Sequence, residues 1–97
     1  MDYILELTDK SGRKIHLSKK QWAHIRKKHP EIEDFEILRE GIEKFDKVKN
    51  YDYDSSVHHY YKFFKNRKPS QRFLCIAVKY LNGEGYIITA FFDVKIT

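Results

Sequence analysis

The chain has 97 residues, 41% of them apolar and 34% charged, with a formal net charge of +5. That length and apolar content fit one folded domain and exclude a disordered tail. The longest apolar run, 86–92, is broken by Thr89 and is far too short to cross a bilayer, so no membrane partner is expected.

The opening Met1-Asp2-Tyr3 has no leader character, and the single cysteine, Cys75, has no partner in the chain. Both point to the cytoplasm. Charge is segregated: seven acids lie between Glu31 and Asp46 against only Arg39 and Lys44. Two basic clusters offset them, Lys19, Lys20, Arg26, Lys27, Lys28 and Lys62, Lys65, Arg67, Lys68, Arg72. This distribution suits a polyanion, most simply nucleic acid, although plain solubility would produce it too.

In chain order, Tyr3, Leu5 and Leu7 alternate with Ile4 and Glu6, the period of a strand. A turn at 9–12 and a return over 13–17 complete a hairpin. Ser18 and Gln21 have the spacing of a capping box, and the helix they open runs to about His29 and stops at Pro30. A second helix is expected behind Asp34 as its cap, with Phe35, Leu38, Ile42 and Phe45 as the apolar stripe. The period then changes to two, giving strands at about 47–53, 57–65, 73–81 and 86–94, with a basic loop at 66–72. The order β-β-α-α-β-β-β-β predicts an α+β fold, with both helices on one face of a curved antiparallel sheet.

A three-residue loop 83–85 in the last hairpin would pair Asn82 with Tyr86 and Lys79 with Thr89. Leu74, Ile76 and Val78 would then share the core face with Ile88, Ala90, Phe92 and Val94. Along 57–65, alternation separates His59, Tyr61 and Phe63 from His58, Tyr60, Lys62 and Phe64. The second set, a cation between aromatics, suits phosphates and stacked bases, or else a strand buried on one side with tyrosines at its rim.

The helix Trp22-Ala-His24-Ile-Arg26-Lys-Lys28-His29-Pro30 carries two imidazoles, the side chains best placed to move protons near neutrality. Five positions apart, they point about 140° apart around the helix. His24 is therefore the candidate acid or base, and His29 reads mainly as a helix terminus that can serve as a second proton-transfer group. His58 and His59 are adjacent and face opposite ways, so they cannot chelate together, and no metal or cofactor is expected. Cys75, alone mid-strand, reads as a small core residue.

Four elements together, Trp22-x-His24-Ile25-x-x-x-His29-Pro30-Glu31, the strand around Tyr60 to Phe64, Phe73 to Lys79, and Gly85 to Phe92, resemble the small phage- and plasmid-associated domains of the barnase–EndoU–colicin–RelE-like nucleases. The resemblance spans roughly residues 15 to 94. It implies a metal-independent ribonuclease, toxin-like or phage-associated, with its site on the open face of the sheet; separately, the acidic helix 34–45 offers a mimic or partner surface for a cognate inhibitor protein. The implied catalytic set is His24, His29, Lys62, Lys79 and Thr89. Lysine stands at 62 where relatives often carry arginine, which gives up a bidentate phosphate clamp. Arg26, Lys28, Tyr60, Lys65, Arg67 and Lys68 would bind the RNA. In that chemistry the 2′-hydroxyl attacks phosphorus, a base takes its proton, cations hold the developing charge, and an acid protonates the leaving oxygen. The alternative is a non-catalytic RNA- or protein-binding module on the same fold.

Overall fold

A computed structural model gives the fold and describes residues 3–96. In chain order the elements are β1 (Tyr3–Thr8), β2 (Lys14–Ser18), α1 (Lys19–Lys28), α2 (Glu36–Glu43), β3 (Lys47–Tyr51), β4 (Asp54–Phe63), β5 (Phe73–Leu81) and β6 (Glu84–Asp93). A single 3-10 turn, Pro69–Gln71, folds the basic loop. The α+β order predicted from periodicity is the order found.

The six strands lie in one sheet, β1-β2-β6-β5-β4-β3. Five neighbouring pairs make up this sheet, and one departs from the antiparallel expectation: β2 runs parallel to β6, with Ile15 opposite Gly85 and His16 opposite Tyr86. A parallel pair needs a long crossover. Here both helices and three strands supply it. The pairing ends at His16, and beyond it α1 lies along the exposed edge of β6, where the Gln21 side-chain amide donates to the Ile88 carbonyl. Ser18 Oγ accepts the Gln21 amide at 3.0 Å, so the helix start is as predicted. The Gln21 side chain, however, satisfies the strand edge and does not close the capping box.

Both helices cover one face of the sheet. Ile25 from α1 and Leu38 and Ile42 from α2 are buried there with Leu5, Leu7, Ile15, Leu17, Leu74, Ile76, Val78, Ile87 and Ala90. The amphipathic stripe is what selects this face: Phe35 and Phe45, at its two ends, pack on the same core. The helix begins at Glu36, behind Phe35. Asp34 still contributes, accepting the Glu36 amide at 3.0 Å.

Two irregularities shift side chains from the faces alternation assigns. The β5–β6 hairpin turns on two residues, Asn82 (φ 54°) and Gly83 (φ 82°), not three. Both lie in the left-handed region, the geometry whose twist matches paired strands. Lys79 therefore pairs with Tyr86, and Thr89 pairs with Ala77. A bulge between Ala77 and Val78 absorbs the extra residue. It sends Ile87 into the core (2% exposed) and leaves Ile88 outside (38% exposed), a correction to the register expected above. In β1 a register shift between Tyr3 and Leu5 has the same effect: Ile4 packs on the core, while the Tyr3 ring stacks on His16.

Candidate functional site

The sheet face away from the helices carries alternate residues of β4, β5 and β6. His59, Ala77 and Thr89 form one cross-strand row, and Tyr61, Cys75 and Phe91 form the next. Val57, Lys79, Tyr86, His16 and Glu6 form a third. Across two strand spacings, the backbones of His59 and Thr89 are about 10 Å apart, with the small Ala77 side chain between them.

At the β3–β4 edge this face opens into a cavity of about 270 Å³ lined by Lys49, Asn50, Tyr51, Asp52, His59 and Tyr61. Lys49 sits directly opposite His59 in the ladder. The Tyr51 ring lies 5.2 Å from the His59 ring, tilted by 32°. Burial lowers the His59 pKa below the ordinary imidazole value, and the Lys49 charge pushes it the same way. A half-buried imidazole whose protonated form is disfavoured, beside a lysine, suits a general base.

The residues expected from the sequence divide between this face and other places. Thr89 and Lys79 lie on it, half-buried, as expected. Lys79 Nζ is 2.5 Å from Asp54 Oδ2. That hydrogen bond, helped by those from Ser56, holds the Asp54 carboxyl at about 2. His29 caps α1 through its amide to the Ile25 carbonyl at 2.7 Å, as helical geometry suggested. Its ring also reaches the open face, 5.9 Å from the Phe91 ring, with Nδ1 3.7 Å from a Glu31 oxygen. His24 is exposed on α1. Of the two helix histidines, then, the one read as a cap meets the sheet face and the one read as acid or base stands in solvent.

Lys62 does not converge with Lys79 and Thr89. It follows the parity of Tyr60 and lies on the helix-bearing side of β4, 3.6 Å from Asp46 and near the Phe64 ring. Tyr60 is 4% exposed and packed in the core with its hydroxyl 2.6 Å from that of Tyr80. That corrects the stacking role given to it: a ring enclosed by Phe45 and the core offers no face to a base. Arg26 is spent on local structure, donating to the carbonyls of Pro30 and Ile32 and so fixing the chain after α1. Arg67 lies over the Phe92 ring at 4.5 Å and donates to Gln71. Lys28, Lys65 and Lys68 are exposed. Cys75 is fully buried, and burial pushes its thiol up to about 11, so it is no nucleophile.

His59, Lys49 and Tyr51 are the site residues that the sequence did not single out. Alternation separated His59 from His58 and Lys62, but only the β4–β5 register puts it on the face shared by Lys79 and Thr89. Lys49 and Tyr51 had no such signal, because their approach depends on the pairing of β3 with β4. Among the described residues no three histidine, cysteine or acidic side chains stand close enough to hold a metal ion. Comparison with protein-family models, with curated proteins and with solved structures returned no match. The likeness to the nuclease group therefore rests on the residues quoted above.

Proposed function

We propose that the open face is a metal-independent RNA-cleaving site centred on His59. The observation that carries this reading is the half-buried His59 imidazole in a cavity shared with Lys49 and Tyr51, in one row with Thr89. His59 takes the proton of the attacking 2′-hydroxyl, and Lys49 offsets charge that builds on the phosphoryl oxygens. Thr89 donates to a non-bridging oxygen, while the Tyr51 ring, 40% exposed, offers a flat surface for a base. His29, at the other flank beside Phe91, is the candidate acid for the leaving oxygen. The role is toxin-like and the place of action is the cytoplasm, where RNA is available and Cys75 stays reduced.

The test is incubation of the purified protein with single-stranded RNA in the presence of a chelator. The expected products end in 2′,3′-cyclic phosphate, and His59→Gln suppresses them. A second reading has its own observation. Lys79 is paired with Asp54 and Lys62 with Asp46, so two of the cations meant to clamp phosphate are already partnered. That favours a module that binds RNA without cutting it. Its signature is salt-sensitive RNA binding with intact RNA recovered.

A further inference from the structure

On the opposite, helix-bearing side of the sheet, the β1–β2 turn and the start of the β3–β4 hairpin line a second, open cavity of about 390 Å³. This is the size range of small-molecule sites. Its apolar wall is Phe45, Val48 and Tyr60, and its polar wall is Lys10, Arg13 and His58. His58 and His59 are neighbours in sequence on opposite faces, so this cavity is separate from the site proposed above.

The polar wall is fixed in advance. Asp9, whose side chain is 2% exposed, accepts from the Ser11 amide and hydroxyl, the Arg13 amide and Nε, and the Tyr80 hydroxyl, at 2.7–3.1 Å. Burial alone would raise its pKa. The bonds from Ser11 and Tyr80, followed by those of Arg13, outweigh burial and hold the carboxyl at about 2. The Arg13 guanidinium carbon lies over the Tyr80 ring, 3.7 Å from its centroid. With Nε committed to Asp9 and Ser11, its terminal nitrogens make no hydrogen bond among the described residues. Across the cavity, burial and the Arg13 charge lower the His58 pKa, and Asp9 opposes them only in part. The His58 ring packs on Tyr80 at 4.8 Å, and its nitrogens likewise have no hydrogen-bond partner among the described residues.

We propose that this cavity binds a small planar organic monoanion. Its carboxylate lies between the terminal nitrogens of Arg13 and the ring of His58, and its flat body rests on Phe45 and Val48. A guanidinium suits this role because its planar donor fork matches a carboxylate. Charge sets both orientation and valence. The adjoining groove carries Glu43 and Asp46, so the anionic head must point to the Arg13 side, and a second negative charge is disfavoured.

Benzoate, acetate and benzyl alcohol separate the parts of this claim when titrated into the labelled protein with NMR readout at His58 and the Val48 methyls. Benzoate is expected to give saturable shifts at both positions. Acetate, which has the head without the ring, and benzyl alcohol, which has the ring without the charge, should each bind about tenfold more weakly or worse. Val48→Glu, at an exposed position, and His58→Ala should each weaken benzoate at least about tenfold without unfolding the protein. Arg13→Gln should do the same, but it also frees Asp9, so the first two variants decide. Absence of saturable shifts overturns the proposal, as do equal shifts from acetate, which would mark an adventitious ion only. Benzoate binding unchanged in Val48→Glu overturns it too.

Discussion

The carboxylate of Asp9 takes five hydrogen bonds and is enclosed, which makes it the clearest electrostatic contributor to stability. Its pKa is depressed in the fold, so its contribution is complete above the unfolded value near 4 and is lost as pH falls toward 2. The depression is worth about 2 kcal/mol. Between pH 5 and pH 2, urea unfolding of the wild type should lose about 2 kcal/mol more than that of Asp9→Asn; equal losses would contradict the account. His59 is shifted in the same sense. Its pKa is lowered, so the neutral base accumulates as pH rises and does so at lower pH than in a free imidazole. Cleavage should therefore show an acid limb with its midpoint below about 6.5. His59→Gln should remove that limb and slow cleavage about 10²–10⁴-fold. At this scale the sequence was readable in part. It showed that Lys79 and Thr89 share a face, but not that Asp54 reaches Lys79, because that pair joins strands 25 positions apart.

Among the elements, the β5–β6 hairpin shows where local signals end. Asn82-Gly83 is a strong two-residue turn signal. Gly85 invited a longer loop, yet it sits inside β6. Its reason is packing: a Cβ there would lie 2.9 Å from Tyr80 and Val78 atoms and 3.0 Å from Ile15. Ile15 is its partner in the parallel β2–β6 pair, a contact no local pattern reveals. Gly85→Ala is expected to destabilise the protein by about 1–3 kcal/mol. Gly83→Ala, strained by its positive φ but open around its Cα, should lose about 1 kcal/mol. Urea melts of the two variants check the order, and a Gly85→Ala protein as stable as the wild type would refute the packing argument. The helices were legible from the Ser18 cap of α1 and the apolar stripe of α2. The bulges were not, since each answers the twist of a sheet already assembled.

At the scale of the whole molecule, one sheet separates two chemistries. The helix-bearing side holds the apolar core and, at its uncovered end, the Asp9–Arg13–His58 cavity. The other side brings His29, His59, Lys49, Lys79 and Thr89 to one surface from the end of α1 and four separate strands. If RNA lies on that surface, its affinity must fall with salt, and Lys49→Ala should reduce the slope of log K against log salt by about 0.7, the loss of one phosphate contact on a single strand. A matching Lys28→Ala change on the exposed side of α1 should leave the slope nearly unchanged. The most direct measurement is the fate of single-stranded RNA incubated in chelator with wild type, His59→Gln and Thr89→Val. The wild type is expected to give fragments ending in 2′,3′-cyclic phosphate, with a strong loss of them in both variants. Intact RNA at high protein concentration, or cleavage undiminished in His59→Gln, would contradict the proposed cleavage site.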